Sequence, residues 1–312
     1  MKLAEAAGEY VALKQAMGMR FYTEARTLKA FCRAMGEVTL GDIKADRVEA
    51  FLAGSGPVTR FWQRKQEVLV GFYRFALARG YALQVPLPPR VPKVAQAFVP
   101  YIYSPEEVGR LLDAATSSDT ARGSVDPSTW RTLILLLYGA GLRISEALAL
   151  TRADVDLSSG TLSIHASKFY KTRLVPLGPQ LTRALSAYAT RPGKPSPGGP
   201  QAPFFATRTG QALTRRAAEY AFDRLRRRAG VQRSDGGRYQ PRLHDLRHAF
   251  AVGRLVSWYR QGADVQRLLP QLAIYLGHVH LAATQRYLTL TPELLQQASQ
   301  RFDTYAGGLV HG

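Results

Sequence analysis

Four short segments in the second half of the chain hold residue types that could carry out chemistry together. They are residues 140–146 (AGLRISE), 167–173 (SKFYKTR), 243–248 (LHDLRH) and 276–287 (LGHVHLAATQRY). A phosphodiester under attack by an oxygen nucleophile gains negative charge on its non-bridging oxygens, so fixed cationic donors lower the barrier. Arginine is well suited because its planar guanidinium stays charged and can bind two phosphate oxygens at once. These residue types therefore indicate phosphoryl transfer that needs no metal cofactor.

The order and content of these segments resemble the Arg, Lys, His-x-x-Arg, Leu-Gly-His and Tyr boxes of the tyrosine recombinase, or phage integrase, family. Five boxes in the right order are a much more specific signal than any one of them. The resemblance covers nearly the whole chain. It implies a helical N-terminal domain that clamps DNA and a mixed α/β catalytic domain. It also implies a site-specific recombinase that cuts and rejoins DNA through a 3′-phosphotyrosyl intermediate, with no cofactor.

Residues 268–278 (LLPQLAIYLGH) form a longer segment before Gly-His than many integrases have. This variant is similar to the one found in transposon-encoded members of the family. The resemblance therefore favours a mobile-element enzyme that acts in DNA integration or transposition.

The resemblance also implies a role for each matched residue. Arg143 and Arg247 resemble the two arginines that hold the scissile phosphate and stabilise its pentacovalent transition state. His244, on the same helix face as Arg247, resembles the histidine that accepts the tyrosine proton or binds the phosphate. His278 resembles a histidine that donates a hydrogen bond to a phosphate oxygen. Tyr287 resembles the nucleophile, whose ordinary phenol pKa of about 10 makes it poor until arginines and a base assist.

The general acid that protonates the departing 5′ oxygen is expected at Lys168, which occupies the family's lysine position. The turn around it departs from the family's Gly-rich pattern, so Lys171 remains an alternative. His248 follows the His-x-x-Arg box, where the family commonly has a structural histidine, and is expected to support the site. Glu146 and Asp245 are expected to orient their neighbours.

The charge balance of the whole chain agrees with a polyanionic partner. The 312 residues include 42 Lys and Arg against 23 Asp and Glu, a formal net charge of +19. Such a basic protein is expected to bind nucleic acid, and the resemblance implies that this is double-stranded DNA. Cys32 is the sole cysteine, which excludes an intramolecular disulfide and a cysteine-based zinc site. The apolar run near residues 132–142 is far shorter than the roughly 20 residues of a membrane span, so we expect no membrane partner and a cytoplasmic location.

Hydrophobic periodicity predicts a mainly α protein with one small β-sheet. Residues 1–84 show helical spacing divided by Gly and Pro into about four helices, and form the predicted DNA-clamping domain. Residues 85–101 are rich in proline and basic side chains and are predicted to be a linker. Residues 102–312 are the predicted catalytic domain, with a β-hairpin formed by runs near 161–166 and 173–177.

The helix predicted over residues 58–78 has one basic face, which favours contact with DNA phosphates. The side chains expected at the DNA are Arg60, Arg64, Lys65, Lys171 and Arg173. The resemblance further implies a homo-oligomer, a tetramer when two duplexes are joined, with companion recombinases or DNA-bending proteins as further partners.

Three alternatives to this interpretation follow from the same residues. A type IB topoisomerase would use similar chemistry as a monomer, but the small size and the clamp-like first domain favour recombination. An accessory DNA-binding subunit without activity is disfavoured because every catalytic position is filled. A metallohydrolase built on His244 and His248 lacks the glutamate of His-Glu-x-x-His and an obvious third ligand.

Overall fold

The computed structural model describes residues 1–55, 58–92, 99–116, 123–165, 172–191, 199–237 and 239–289, with residues 296 and 299. The chain divides into two compact units, Met1–Phe98 and Val99–Gly312. This division falls within the range 85–101 that the sequence analysis assigns to a linker. The described residues are mainly helical and include one small sheet, which confirms the predicted fold class.

The first unit contains the four helices that the sequence predicts. They are α1 (Leu3–Ala16), α2 (Tyr22–Met35), α3 (Ala45–Ala53) and α4 (Arg60–Ala78). Gly36 and Gly54 follow α2 and α3 with φ of 76° and 61°, a backbone conformation that favours glycine. Thr59 caps the N-terminus of α4, and its hydroxyl accepts the N–H of Phe61 at 3.2 Å. The four helices enclose a core that includes Leu28, Phe31, Val48, Leu69, Phe72 and Tyr73.

The second unit consists of helices around one small sheet. Its helices are α5 (Pro105–Thr116), α6 (Pro127–Ala140), α7 (Ile144–Ala149), α8 (Pro179–Thr190), α9 (Arg215–Arg228), α10 (Leu243–Arg260), α11 (Val265–Leu276) and α12 (Ala282–Gln285). A 3-10 turn at Arg286–Thr289 follows α12.

The sheet has three antiparallel strands in the order β1 (Val155–Asp156), β2 (Thr161–Ile164) and β3 (Arg173–Pro176). β2 and β3 form the predicted hairpin, in a register that pairs Leu162 with Val175 and Ile164 with Arg173. Because side chains alternate along a strand, Leu162 and Ile164 both face the core and are buried. This register places Arg173 opposite Ile164 at the start of β3.

The apolar run near residues 132–142 lies mainly in α6, which is buried along most of its surface. Asp126 caps the helix, since its carboxylate accepts the N–H of Ser128 at 2.9 Å, and Pro127 is the first helical residue. α6 packs against α5, α7, α8 and α10. Its hydrophobicity is therefore that of a central core helix, and no helix among the described residues is long and apolar enough to cross a membrane.

Candidate active site

Tyr287 lies in the 3-10 turn after α12, with its phenol turned inward. The side chain is 4% exposed and packs among buried residues of α10 and α11, including Phe250 and Leu276. Its oxygen lies 3.0 Å from Nδ1 of His248. Its ring stacks on that of His278, with 6.2 Å between centroids. Burial raises the pKa of the phenol above its ordinary value, although nearby arginines, Arg247 first, oppose that rise.

Arg247 is a buried cation on α10. It is 1% exposed, and its Nη1 and Nη2 donate to the carbonyls of Gly141 and Leu276 at 2.7 and 2.6 Å. Burial, with the neighbouring charge of Arg143, lowers the pKa of its guanidinium to about 10. The group therefore remains charged at neutral pH.

Arg143 immediately precedes α7, and its side chain is 31% exposed. Its Nη1 binds Oε1 of Glu146 at 2.7 Å, and its Nη2 donates to the carbonyl of Gly277 at 2.9 Å. Glu146 is the third residue of α7, and its Oε2 also accepts the backbone N–H of Arg143 at 2.9 Å. One carboxylate thus caps the helix and orients the arginine before it.

Arg173 binds both oxygens of the same carboxylate. Its Nη1 and Nη2 lie 3.0 and 2.9 Å from the two oxygens of Glu146, and its Nε donates to the carbonyl of Tyr275 at 3.0 Å. Burial alone would raise the pKa of Glu146, but the bonds from Arg173 and Arg143 hold it at about 2. The expectation that Arg173 contacts DNA at the surface is corrected here, because its side chain is 10% exposed and bound within the site.

All three arginines of the site bind backbone carbonyls at the C-terminal end of α11. The carbonyls of its last turn accept from Arg173, Arg247 and Arg143, and cations are favoured there because the end of a helix carries partial negative charge. Gly277 ends the helix at φ 68°, and a Cβ there would lie 2.8 Å from Nη1 of Arg173. Gly141 also has a positive φ, and its Cβ would overlap the ring of Phe250. The glycines of the Gly-Leu-Arg and Leu-Gly-His boxes thus allow a close approach of backbone and side chains.

Three histidines surround the phenol and the arginines. The rings of His244 and His248, one turn apart on α10, meet edge to face at 4.9 Å. His278 binds the hydroxyl of the buried Thr284 through Nδ1 at 2.7 Å, so a hydrogen bond from this ring to a phosphate would come from Nε2. Burial, followed by neighbouring positive charges, lowers the pKa of His248 to about 3 and that of His278 to about 4. The pKa of His244 is lowered by the same two causes, so all three rings are neutral at pH 7.

The structure brings together Arg143, His244, Arg247, His278 and Tyr287, and the catalytic role of each stays a prediction. Lys168 and Lys171 lie outside the described residues, and their roles stay predictions. No group of three His, Cys, Asp or Glu side chains is placed to hold a metal ion in the part of the chain that the structure describes.

Sequence reasoning missed two contributions to this site. His248 was expected only to support the site as a structural histidine, and it contacts the phenolic oxygen directly. Its spacing of four residues from His244 was the available signal, since residues i and i+4 share a helix face. Thr284 is fully buried against His278, and a threonine two positions before an arginine carries no such signal.

The predicted DNA contacts on α4 separate into two groups. Arg60 and Arg64 are exposed. Lys65 is instead buried, and its ammonium donates to the carbonyls of Phe51 and Leu52 at the end of α3. The expectation for Lys65 is therefore corrected, because its charge binds a helix C-terminus inside the first unit.

Known proteins share both the sequence and the fold of this chain. The model of the phage integrase family matches residues 103–293. The "Putative integrase/recombinase y4rB" of Sinorhizobium fredii is 34% identical over 309 residues, which cover 96% of this chain and 96% of that protein. The tyrosine recombinase XerA of Thermococcus kodakarensis is 31% identical over 271 residues, covering 84% of this chain and 83% of that protein.

Two solved structures show the same fold at lower identity. A lambda integrase dimer bound to a COC′ core site has a TM-score of 0.69 at 18% identity, covering 94% of this chain and 97% of that one. The Tn1549 transposon integrase in complex with a circular intermediate DNA has a TM-score of 0.71 at 15% identity, covering 97% and 99%. Fold and site together define a DNA breaking and rejoining enzyme of the tyrosine type. The chain belongs to the phage integrase family and is a site-specific tyrosine recombinase.

Proposed function

We propose that Tyr287 attacks a scissile DNA phosphate held by Arg143, Arg247, His244 and His278. A 3′-phosphotyrosyl bond forms as the bond to the 5′ oxygen breaks, and the phenolic proton of Tyr287 passes to a neutral histidine of the site. A 5′ hydroxyl of a second duplex later reverses the step. The phosphotyrosyl link conserves the energy of the phosphodiester, so strand transfer needs no external energy source. The observation that carries this proposal is the stacking of Tyr287 on His278 beside the buried Arg247.

Charge placement explains why these groups favour the transition state. Arg247 is locked by two carbonyls, and Arg143 is held by Glu146 and Gly277 while 31% of its side chain remains exposed. Donors fixed in this way need not reorganise when charge develops on the phosphate oxygens. The neutral His278 can add a hydrogen bond from Nε2 without repelling the arginines.

The departing 5′ oxygen must gain a proton, and Lys168 is the proposed general acid, with Lys171 as its alternative. A substrate with sulfur in place of the 5′ bridging oxygen tests this assignment, because a thiolate leaves without protonation. The lysine whose loss blocks cleavage of normal DNA but not of the sulfur-containing DNA is the general acid. If neither lysine behaves in this way, the acid is another group.

The first unit is proposed to clamp double-stranded DNA with the exposed Arg60 and Arg64 of α4. The assembly is proposed to be a tetramer on two duplexes, a state supported by the lambda integrase tetramer bound to a Holliday junction, which shares this fold. Companion recombinases or DNA-bending proteins and a cytoplasmic location belong to the same proposal. An origin in a mobile element belongs to the same proposal, and the Tn1549 transposon integrase shares this fold.

The experiment uses duplexes from the DNA that flanks the gene, each carrying a nick placed to trap the cleaved strand. We expect a covalent protein–DNA adduct on a denaturing gel with the native chain and none with Tyr287→Phe, which should still bind DNA. An adduct that persists in Tyr287→Phe would refute the assignment of the nucleophile.

A further inference from the structure

His248 makes a direct polar contact with the proposed nucleophile. Its Nδ1 lies 3.0 Å from the phenolic oxygen of Tyr287, and the two ring centroids are 5.5 Å apart. His248 comes from the first half of α10, whereas Tyr287 lies 39 residues later in the chain. The contact is therefore made by tertiary packing and is not a local consequence of helix geometry.

The polarity of this contact follows from the surrounding charges. Arg247, Arg143 and Arg286 act on the phenol as positive charges, and an arginine can only donate hydrogen bonds. The phenolic hydrogen needs an acceptor, and in the described contacts of this oxygen Nδ1 of His248 fills that role. The ring is able to accept because burial and the arginines keep it unprotonated.

We infer that His248 orients the nucleophile for strand cleavage. Its Nδ1 accepts the hydrogen of the Tyr287 hydroxyl and so fixes the rotation of that hydroxyl about the ring. A lone pair of the oxygen is thereby directed away from His248 and towards the arginines, where the phosphate is proposed to bind. The inference rests on the proposed function and adds one residue to its chemistry.

This role acts on the chemical step and not on DNA affinity. Holding reacting atoms in a near-attack geometry accounts for large rate factors, and a displacement of about 1 Å can cost about 100-fold. Loss of the acceptor should therefore slow cleavage by about 10- to 100-fold. DNA binding depends on phosphate contacts elsewhere and should be unchanged.

Three substitutions separate orientation from packing. His248→Phe keeps a ring but removes the acceptor. His248→Asn offers an amide oxygen near the place of Nδ1, and His248→Gln offers one near the place of Nε2, a position further along the side chain. His280→Asn, at an exposed histidine in the turn before α12, serves as the control for a histidine change near the site.

The measurement is the single-turnover rate of adduct formation on a nicked duplex, beside the Kd for the same DNA. We expect Kd values within twofold of the native chain, slow cleavage by His248→Phe and His248→Gln, and recovery of most of the rate in His248→Asn. If His248→Phe does not fold, the cleavage rates of His248→Asn and His248→Gln still test the orienting role. Native rates in Phe or Gln, or an Asn variant no faster than Gln, would overturn the inference.

Failure of the proposed function gives a different result. In that case the native chain forms no adduct, or Tyr287→Phe still forms one. A third outcome is that the native chain cleaves DNA, Tyr287→Phe does not, and all three His248 variants cleave at the native rate. In that case the proposed function stands, and only the orienting role of His248 is refuted.

Discussion

Arg173 at the start of β3 binds both carboxylate oxygens of Glu146 on α7, at 3.0 and 2.9 Å, while its Nε holds the carbonyl of Tyr275 on α11 at 3.0 Å. One side chain thus joins three elements that are far apart in sequence. The same carboxylate binds Arg143, so the position of that arginine depends on β3. We interpret Arg173 as a positioning residue for the phosphate-binding arginines.

Replacement of Arg173 by Gln should destabilise the second unit and reduce cleavage. Removal of one partner from a buried ion pair costs up to about 3–5 kcal/mol in the free energy of unfolding, and the expected loss is smaller here because Glu146 keeps its bond to Arg143. Arg173→Lys should recover only part of this, since an ammonium cannot bind both oxygens and the carbonyl in the same geometry. Denaturant unfolding measures the effect, and a loss below about 1 kcal/mol in Arg173→Gln would contradict it.

Gly277→Ala should impair both stability and cleavage. The residue has φ 68°, and its new Cβ would meet Arg173 at 2.8 Å, so strain and displacement of the arginine add together. The expected loss is at least about 1–2 kcal/mol. Gly253→Ala on α10 is the matched control, because nothing lies within 4 Å of its Cβ and alanine favours a helix by about 0.5–1 kcal/mol. If Gly277→Ala and Gly253→Ala had the same stability and the same cleavage rate, the close-approach explanation would be refuted.

The stability of the second unit should fall in mild acid. The folded pKa values of His248 and His278, about 3 and 4, lie below the ordinary 6.5. Between pH 6.5 and 4 these histidines bind protons more readily in the unfolded chain than in the folded one. Their contribution to the free energy of unfolding is therefore complete above pH 6.5 and is lost as the pH falls from 6.5 towards 4. For His278 the loss is up to about 3 kcal/mol. Unfolding free energies at pH 7.5, 5.5 and 4.5 should decline, less steeply in His278→Asn; parallel curves for the two proteins would contradict the prediction.

Lys65 and its neighbours on α4 should respond differently to substitution. Arg60→Ala and Arg64→Ala should each reduce the slope of log K against log salt by about 0.9, the contribution of one phosphate contact. Lys65→Met should keep that slope but destabilise the first unit, because two carbonyls of α3 lose their donor. Salt titrations of DNA binding and thermal unfolding separate the two effects. A reduced slope in Lys65→Met would restore Lys65 as a DNA contact.

Much of this site could be predicted because its residues are concentrated in short motifs. Arg143, His244, Arg247, His278 and Tyr287 each stand in a recognisable segment, and the hairpin that contains Arg173 follows from alternating β-type residues. Contacts between segments were harder to predict, since the bond between His248 and Tyr287 depends on how α10 packs against the turn after α12.

Lys65 shows a signal that was present but unused. It lies three residues after Trp62 and four before Leu69, both buried, so the helical period places it on the core face of α4. Its charge favoured an exposed position, and the unpaired carbonyls at the end of α3 reversed that preference. No local pattern identifies such a carbonyl partner, because it belongs to another helix.

The identity of the nucleophile is tested most directly by locating the DNA within the trapped adduct. The adduct is digested with nuclease and protease, and the peptide that retains a nucleotide is sequenced by mass spectrometry. We predict a nucleotide attached through its 3′ phosphate to Tyr287. Attachment at any other residue, or through a 5′ phosphate, would contradict the account.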